Sequence, residues 1–109
     1  MRLLLSLFVL GACGLVAAGA HADEAPIALA VEADGFAPTA IEAAARTSFR
    51  IAITNKTDRA IEFESFELNR ERVVQPGQTV NVYLSDLEPG RYEFFDDFNQ
   101  QRRGALLVK

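Results

Sequence analysis

The chain has 109 residues, a formal net charge of −4 and 50% hydrophobic residues. That is the size of one small domain, and it leaves no room for a large or multi-domain enzyme. The acidic balance argues against nucleic acid as a partner, because no basic stripe exists to neutralise phosphates.

Residues 1–22 form a distinct opening segment. Arg2 is followed by Leu3, Leu4, Leu5, Leu7, Phe8, Val9 and Leu10, then by small residues ending in Ala20-His21-Ala22. A charged start, a short apolar run and an A-x-A site are the parts of a secretory signal peptide. Cleavage after Ala22 takes 22 of the 109 residues and leaves 87, and the loss of Arg2 leaves 10 basic against 15 acidic residues, a formal charge of −5. Met1, Cys13 and His21 all lie in the leader, so residues 23–109 contain no Met, Cys or His. Leu10-Gly11-Ala12-Cys13 also has the form of a lipoprotein site with Cys13 acylated. The apolar run continues through Leu15, Val16 and Ala17, which favours Cys13 as a small apolar residue of the leader. After Ala22 no apolar run approaches the ~20 residues of a membrane-spanning helix. The expectation is an exported domain over residues 23–109, periplasmic in a Gram-negative host.

The exported part reads as short strands divided by turns. Ile27, Leu29 and Val31 give a first strand, Phe49, Ile51 and Ile53 a second, and Val80, Val82 and Leu84 another, each alternating with more polar neighbours. Tyr92 and Phe94 mark a late strand, and Leu106 and Val108 a last one. With weaker segments the total is about seven strands. Asp34-Gly35, Asn55 to Asp58, Pro76-Gly77 and Pro89-Gly90 punctuate them, and Pro-Gly suits a type II turn. Ala40 to Ala45 is rich in helix formers but follows Pro38, so it warrants one short turn at most. The class is all-β, a two-sheet sandwich. Seven phenylalanines of residues 23–109 are expected to carry much of the core, and five of them cluster around two acidic segments.

The first acidic segment runs from Ile61 to Glu71. In a strand, Ile61 and Phe63 face one side while Glu62 and Glu64 converge on the other. The apolar parity then switches to Phe66 and Leu68, which calls for a bulge or bend at Ser65. The second segment, Tyr92 to Asn99, ends in Asp96-Asp97, and adjacent aspartates after Phe94-Phe95 mark a strand end with oxygen donors displayed. Carboxylates suit Fe, Mn, Ca or Mg, whereas blue copper takes thiolate and imidazole. Acids alternating with apolar residues also describe any solvated strand face. No Ser-His-Asp or Cys-His arrangement and no phosphate loop point to catalysis, so the chain is not expected to be an enzyme.

The order of the pieces is more specific. Ala37-Pro38 with Ile41, the Asn55-led turn before Ile61-Glu62-Phe63-Glu64, Val74-Gln75-Pro76-Gly77-Gln78-Thr79, and Leu87-Glu88-Pro89-Gly90-Arg91-Tyr92-Glu93-Phe94 precede a loop to Gly104 and a final strand. This series resembles a cupredoxin, a Greek-key β-sandwich, over nearly all of residues 23–109. In particular it resembles the cupredoxin-like domain of EfeO-type periplasmic iron-uptake proteins and the small stand-alone component of related ferrous-iron uptake systems.

In blue-copper members a His follows the Asn-led turn, and Cys, His and Met lie before the last strand. Those places hold Glu62, Asp96 and Asp97 here, and Asn99 to Arg103 contain no His or Met, so a type 1 copper centre is excluded. Phe36 and Asp96 stand at about the places where the EfeO-type domain can carry cysteines. The resemblance implies a carboxylate metal site with Glu62 and Glu64 first, Asp96 or Asp97 as the loop ligand, and Glu67 or Glu71 as additions. Iron is the implied metal, copper bound through oxygens stands behind it, and the implied partners are a membrane iron permease and other periplasmic components. Two other readings stay open: a metal-free interaction module whose acids pair with Arg70, Arg72, Arg102 and Arg103, and a copper accessory. Phe95 and Phe98, if exposed, would give the first of these its contact patch.

Overall fold

The computed structural model describes residues 25–109, and the expected leader with Cys13 lies outside them. Nine strands follow one another: β1 (Ile27–Glu32), β2 (Gly35–Ala37), β3 (Ala40–Ala43), β4 (Ser48–Asn55), β5 (Ile61–Ser65), β6 (Arg70–Val74), β7 (Thr79–Ser85), β8 (Gly90–Asp96) and β9 (Asn99–Val108). They form a four-stranded sheet in the order β2-β1-β4-β7 and a five-stranded sheet in the order β3-β9-β8-β5-β6. The chain crosses between sheets repeatedly, so the two layers are built together into an all-β sandwich. No helix among the described residues is long and apolar enough to cross a membrane.

Alternation sets the inner faces. Leu29 and Val31 of β1, Ile51 and Ile53 of β4, and Val80, Val82 and Leu84 of β7 point inward from one sheet. Ile61 and Phe63 of β5, Phe94 of β8, and Leu106 and Val108 of β9 meet them from the other. Phe94 sits amid the aromatic core, 5.0 Å from Phe36 edge-on and 5.2 Å from Phe63.

Nine strands replace the expected seven or so, and one of the additions overturns a propensity argument. Ala40 to Ala43, rich in helix formers, is a strand, paired in parallel with Ala105 to Val108 of β9. The bond between Ala37 and Pro38 before it is cis. Ile41 is buried at 3% exposure, so packing and an available sheet edge outweigh alanine's preference for helix.

The turns divide similarly. At Gln75 to Gln78 the Gln78 N–H donates to the Gln75 carbonyl at 3.0 Å, and Gly77 has φ of 75°, as a type II turn with Pro at its second position requires. Pro89-Gly90 makes no such turn, since Gly90 opens β8 without a positive φ. Asn55 is wholly buried and fully occupied: its amide donates to the carbonyls of Arg59 and Val74, and its oxygen accepts from the Thr57 N–H and hydroxyl.

The parity switch after Ser65 is made by a turn over Phe66 to Asn69 rather than by a bulge within a strand. The buried Ser65 hydroxyl donates to the Glu93 carbonyl at 2.6 Å and accepts from the Leu68 N–H at 3.1 Å, which fixes the turn's geometry. Leu68 goes into the core as expected, whereas Phe66 stands 77% exposed. The register irregularity of this sheet lies instead between Phe95 and Asp96.

Candidate metal centre

Strand β5 lies between β6 and β8, with Glu64 opposite Glu71 on one side and Phe95 on the other. Period two puts Ile61, Phe63 and Ser65 inside, and Glu62 and Glu64 half-buried on the outer face. Just beyond the end of β8, the Asp97 N–H donates to the Glu62 carbonyl at 2.9 Å, which carries Asp97 to the same place. Carboxylate oxygens of Glu62, Glu64 and Asp97 come within 4.8 Å of one another. Two oxygens on one cation stand no farther apart than twice a metal–oxygen bond of about 2.4 Å, so the three are spaced to share an ion.

The electrostatics match that crowding. The carboxyl of Glu62 is held above its ordinary 4.5, first by a hydrogen bond with Glu64, then by burial, and then by the charges of Glu64 and Asp97. A hydrogen bond with Glu71 opposes the shift. Glu62 therefore keeps its proton to higher pH because the group has too much negative charge in one place.

None of the nearby arginines supplies the missing positive charge. Arg72 donates to the Asn81 carbonyl at 3.1 Å, and Arg70 donates to the Tyr83 carbonyl at 3.2 and 3.3 Å, so both turn to the exposed edge of β7. Arg103 lies over the Phe95 ring at 5.3 Å. Of Arg70, Arg72, Arg102 and Arg103, Arg102 alone pairs with an acid, Asp96, and no ion pair among the described residues involves Glu62, Glu64, Glu71 or Asp97.

The structure separates the two aspartates. Asp96 has no exposed surface, and its Oδ1 accepts from the N–H groups of Glu62 and Phe98 at 2.9 and 3.0 Å. Its Oδ2 accepts from Arg102 at 3.1 Å, while the same guanidinium donates to the carbonyls of Glu32 and Ala33. Asp96 is thus a structural anchor tying β5, the β8–β9 turn and the β1–β2 turn together, and it stands outside the carboxylate group. Glu67 also stands outside it, lining a shallow 230 Å³ pocket with Phe66, Phe95 and Arg103. Glu71 stands beside the group, directly opposite Glu64 on β6.

Parity could have sorted the aspartates. Phe94 faces in, so continuing β8 by two residues puts Asp96 in and Asp97 out. Arg102, one of the four arginines flanking the acidic segments, does pair with an acid, and the acid it takes is the inward Asp96.

The described residues also bear on a blue-copper centre. They contain no Cys, His or Met, so the thiolate and imidazole donors of such a centre are missing. Asp96, which the resemblance puts at about the place of a thiolate, is held in an ion pair with Arg102.

Comparison with known proteins agrees with this fold. A family model described as "Cupredoxin-like domain" matches residues 3–108. An uncharacterized protein of Rickettsia prowazekii (strain Madrid E) is 38% identical over 73 residues, which are 67% of this chain and 58% of that protein, so the chain spans little more than half of it. Among solved structures, the metal binding domain of the Cu(I) exporting P-type ATPase CopA of Streptococcus pneumoniae D39 superposes with a TM-score of 0.67 at 17% identity, over 77% of this chain and 84% of that one. A purple cupredoxin from Nitrosopumilus maritimus gives 0.60 at 16% identity, over 76% and 99%. A reduced Cu(I) form of amicyanin gives 0.64 at 12%, over 80% and 85%. At these identities the structures speak for the fold alone. With a family model spanning nearly its whole length and the two-sheet sandwich to match, the chain belongs to the cupredoxin-like domain family.

Proposed function

We propose that this protein is an exported, periplasmic metal-binding accessory of iron uptake, which binds iron or passes it to a membrane permease through Glu62, Glu64 and Asp97. The observation that carries the reading is the convergence of three carboxylates within 4.8 Å with no cationic side chain of the described residues paired to them. Oxygen donors of this kind suit Fe(II) and Mn(II). The raised Glu62 fits a site that gains from a positive ion, because a cation replaces the proton. Asp97 is exposed, which leaves the ion's outer side open to water and to a receiving ligand. The sequence resemblance to EfeO-type and stand-alone uptake components supplies iron as the cargo. Copper held by the same oxygens is the competing metal, and it would give a tetragonal Cu(II) spectrum without an intense blue band.

Anomalous scattering from crystals soaked in Fe(II) under anaerobic conditions tests the placement. A peak bounded by Glu62, Glu64 and Asp97 is expected; an ion found only at Glu67, Glu88 or other surface acids would remove the reading.

A second reading, a metal-free module docking to a transporter or periplasmic partner, is favoured by Phe98. It stands 57% exposed directly after Asp97, whereas Phe95, the other residue expected in that patch, is only 7% exposed.

A further inference from the structure

The outer face of β5, β6 and β8 has apolar groups on both sides of its carboxylates. Val73, 44% exposed, is the cross-strand partner of Glu62, and Phe95 is the cross-strand partner of Glu64. Directly opposed residues share one face at about 5 Å between Cβ atoms, so these pairs make one continuous surface. Phe66 extends it: its ring lies 5.3 Å from that of Phe95 and covers it, leaving Phe95 only 7% exposed and Phe66 itself 77% exposed. A phenylalanine that could have gone inward instead roofs an outward-facing one.

We infer that this face, centred on the exposed Phe66 where it covers Phe95 and bordered by Glu62, Glu64, Glu71 and Asp97, docks a protein surface bearing Lys or Arg among aliphatic residues. Charge selects the occupant. The four acids have no ion-pair partner among the described residues, and Arg70 and Arg72 are turned away to β7. A second copy would bring like charges together, and an anionic membrane or nucleic acid would be repelled. The aromatic pair also suits a cation. Arg103 already sits 5.3 Å above the Phe95 ring, and the free face of Phe66 offers an incoming guanidinium or ammonium the same contact beside Glu64. The inference identifies the partner chemistry for the docking reading and does not depend on iron binding.

The test is an amide-resolved NMR titration of the metal-free protein, kept in chelator, with a short synthetic peptide alternating Arg or Lys with Leu. A control peptide carries Glu in place of each cation. Saturable shifts at Glu64, Phe66 and Phe95 are expected with the basic peptide only, weakened about tenfold by Phe66→Ser. Phe66 is exposed on a turn, so the variant keeps the fold, and unchanged Fe(II) uptake by Phe66→Ser separates docking from metal binding. Glu64→Gln/Glu71→Gln should weaken the peptide as well. Shifts scattered over Asp34, Glu42 and Glu88, or affinity untouched by Phe66→Ser, would overturn the inference, as would a protein dimer that Phe66→Ser dissolves.

Discussion

Asp96 and Asp97 differ by one position and by everything that surrounds them. Asp96 is buried against Arg102, whose side chain is only 16% exposed, and removing one member of such a pair leaves the other charge without compensation. Asp96→Ala should therefore cost about 3 kcal/mol or more, read from urea unfolding, a penalty that an exposed metal ligand would not carry. Glu62 behaves in the opposite sense. Its raised value means the native state holds a proton that the unfolded chain has already released, so stability falls as pH rises from 4.5 through that value. Glu62→Gln should flatten that part of the pH profile and melt no lower than wild type at neutral pH, as thermal denaturation across the range will show. Both aspartates were legible in the sequence as carboxylates near a strand end. Which one turned inward depended on carrying the strand period two residues farther and on a guanidinium that arrives from across a turn.

Each element of the sandwich shows where local preference prevails and where its neighbours do. The Val80, Val82, Leu84 pattern and the Pro76-Gly77 turn could be read directly, because alternation and turn chemistry are local. Ala40 to Ala43 could not, because its strand exists through β9, far along the chain. Phe66 misled by parity: a turn, held by the Ser65 hydroxyl, gives the inward place to Leu68. Strand β9 depends on a close approach that only glycine permits. A Cβ at Gly104 would stand 2.5 Å from the Phe94 ring and 2.8 Å from the Thr39 carbonyl oxygen. Gly104→Ala should cost about 1–3 kcal/mol by urea unfolding, by pushing Phe94 off its contacts with Phe36 and Phe63.

At the scale of the molecule, the sandwich gives its core to packing and one outer face to unneutralised charge. The fold was legible because the strand order and its turns run in one continuous series, and a family of that architecture matches almost the whole chain. The candidate centre was half legible. Glu62 and Glu64 follow from alternation, but the arrival of Asp97 depends on a backbone hydrogen bond to Glu62 across the sheet, and the lack of neutralising partners among the described residues depends on where the arginines turn. Arg70 and Arg72 lie beside the acids in sequence and serve the edge of β7 in space, so proximity along the chain gave the wrong pairing.

The central claim is that the carboxylate group binds iron, and an anaerobic Fe(II) titration of the purified protein, competed against Mn(II), Zn(II) and Cu(II), tests it most directly. Wild type and Glu62→Gln/Glu64→Gln are compared at the same pH. The account predicts saturable Fe(II) binding with one ion per chain in the wild type and its loss in the double variant. No binding by the wild type, or equal binding by both proteins, would contradict it.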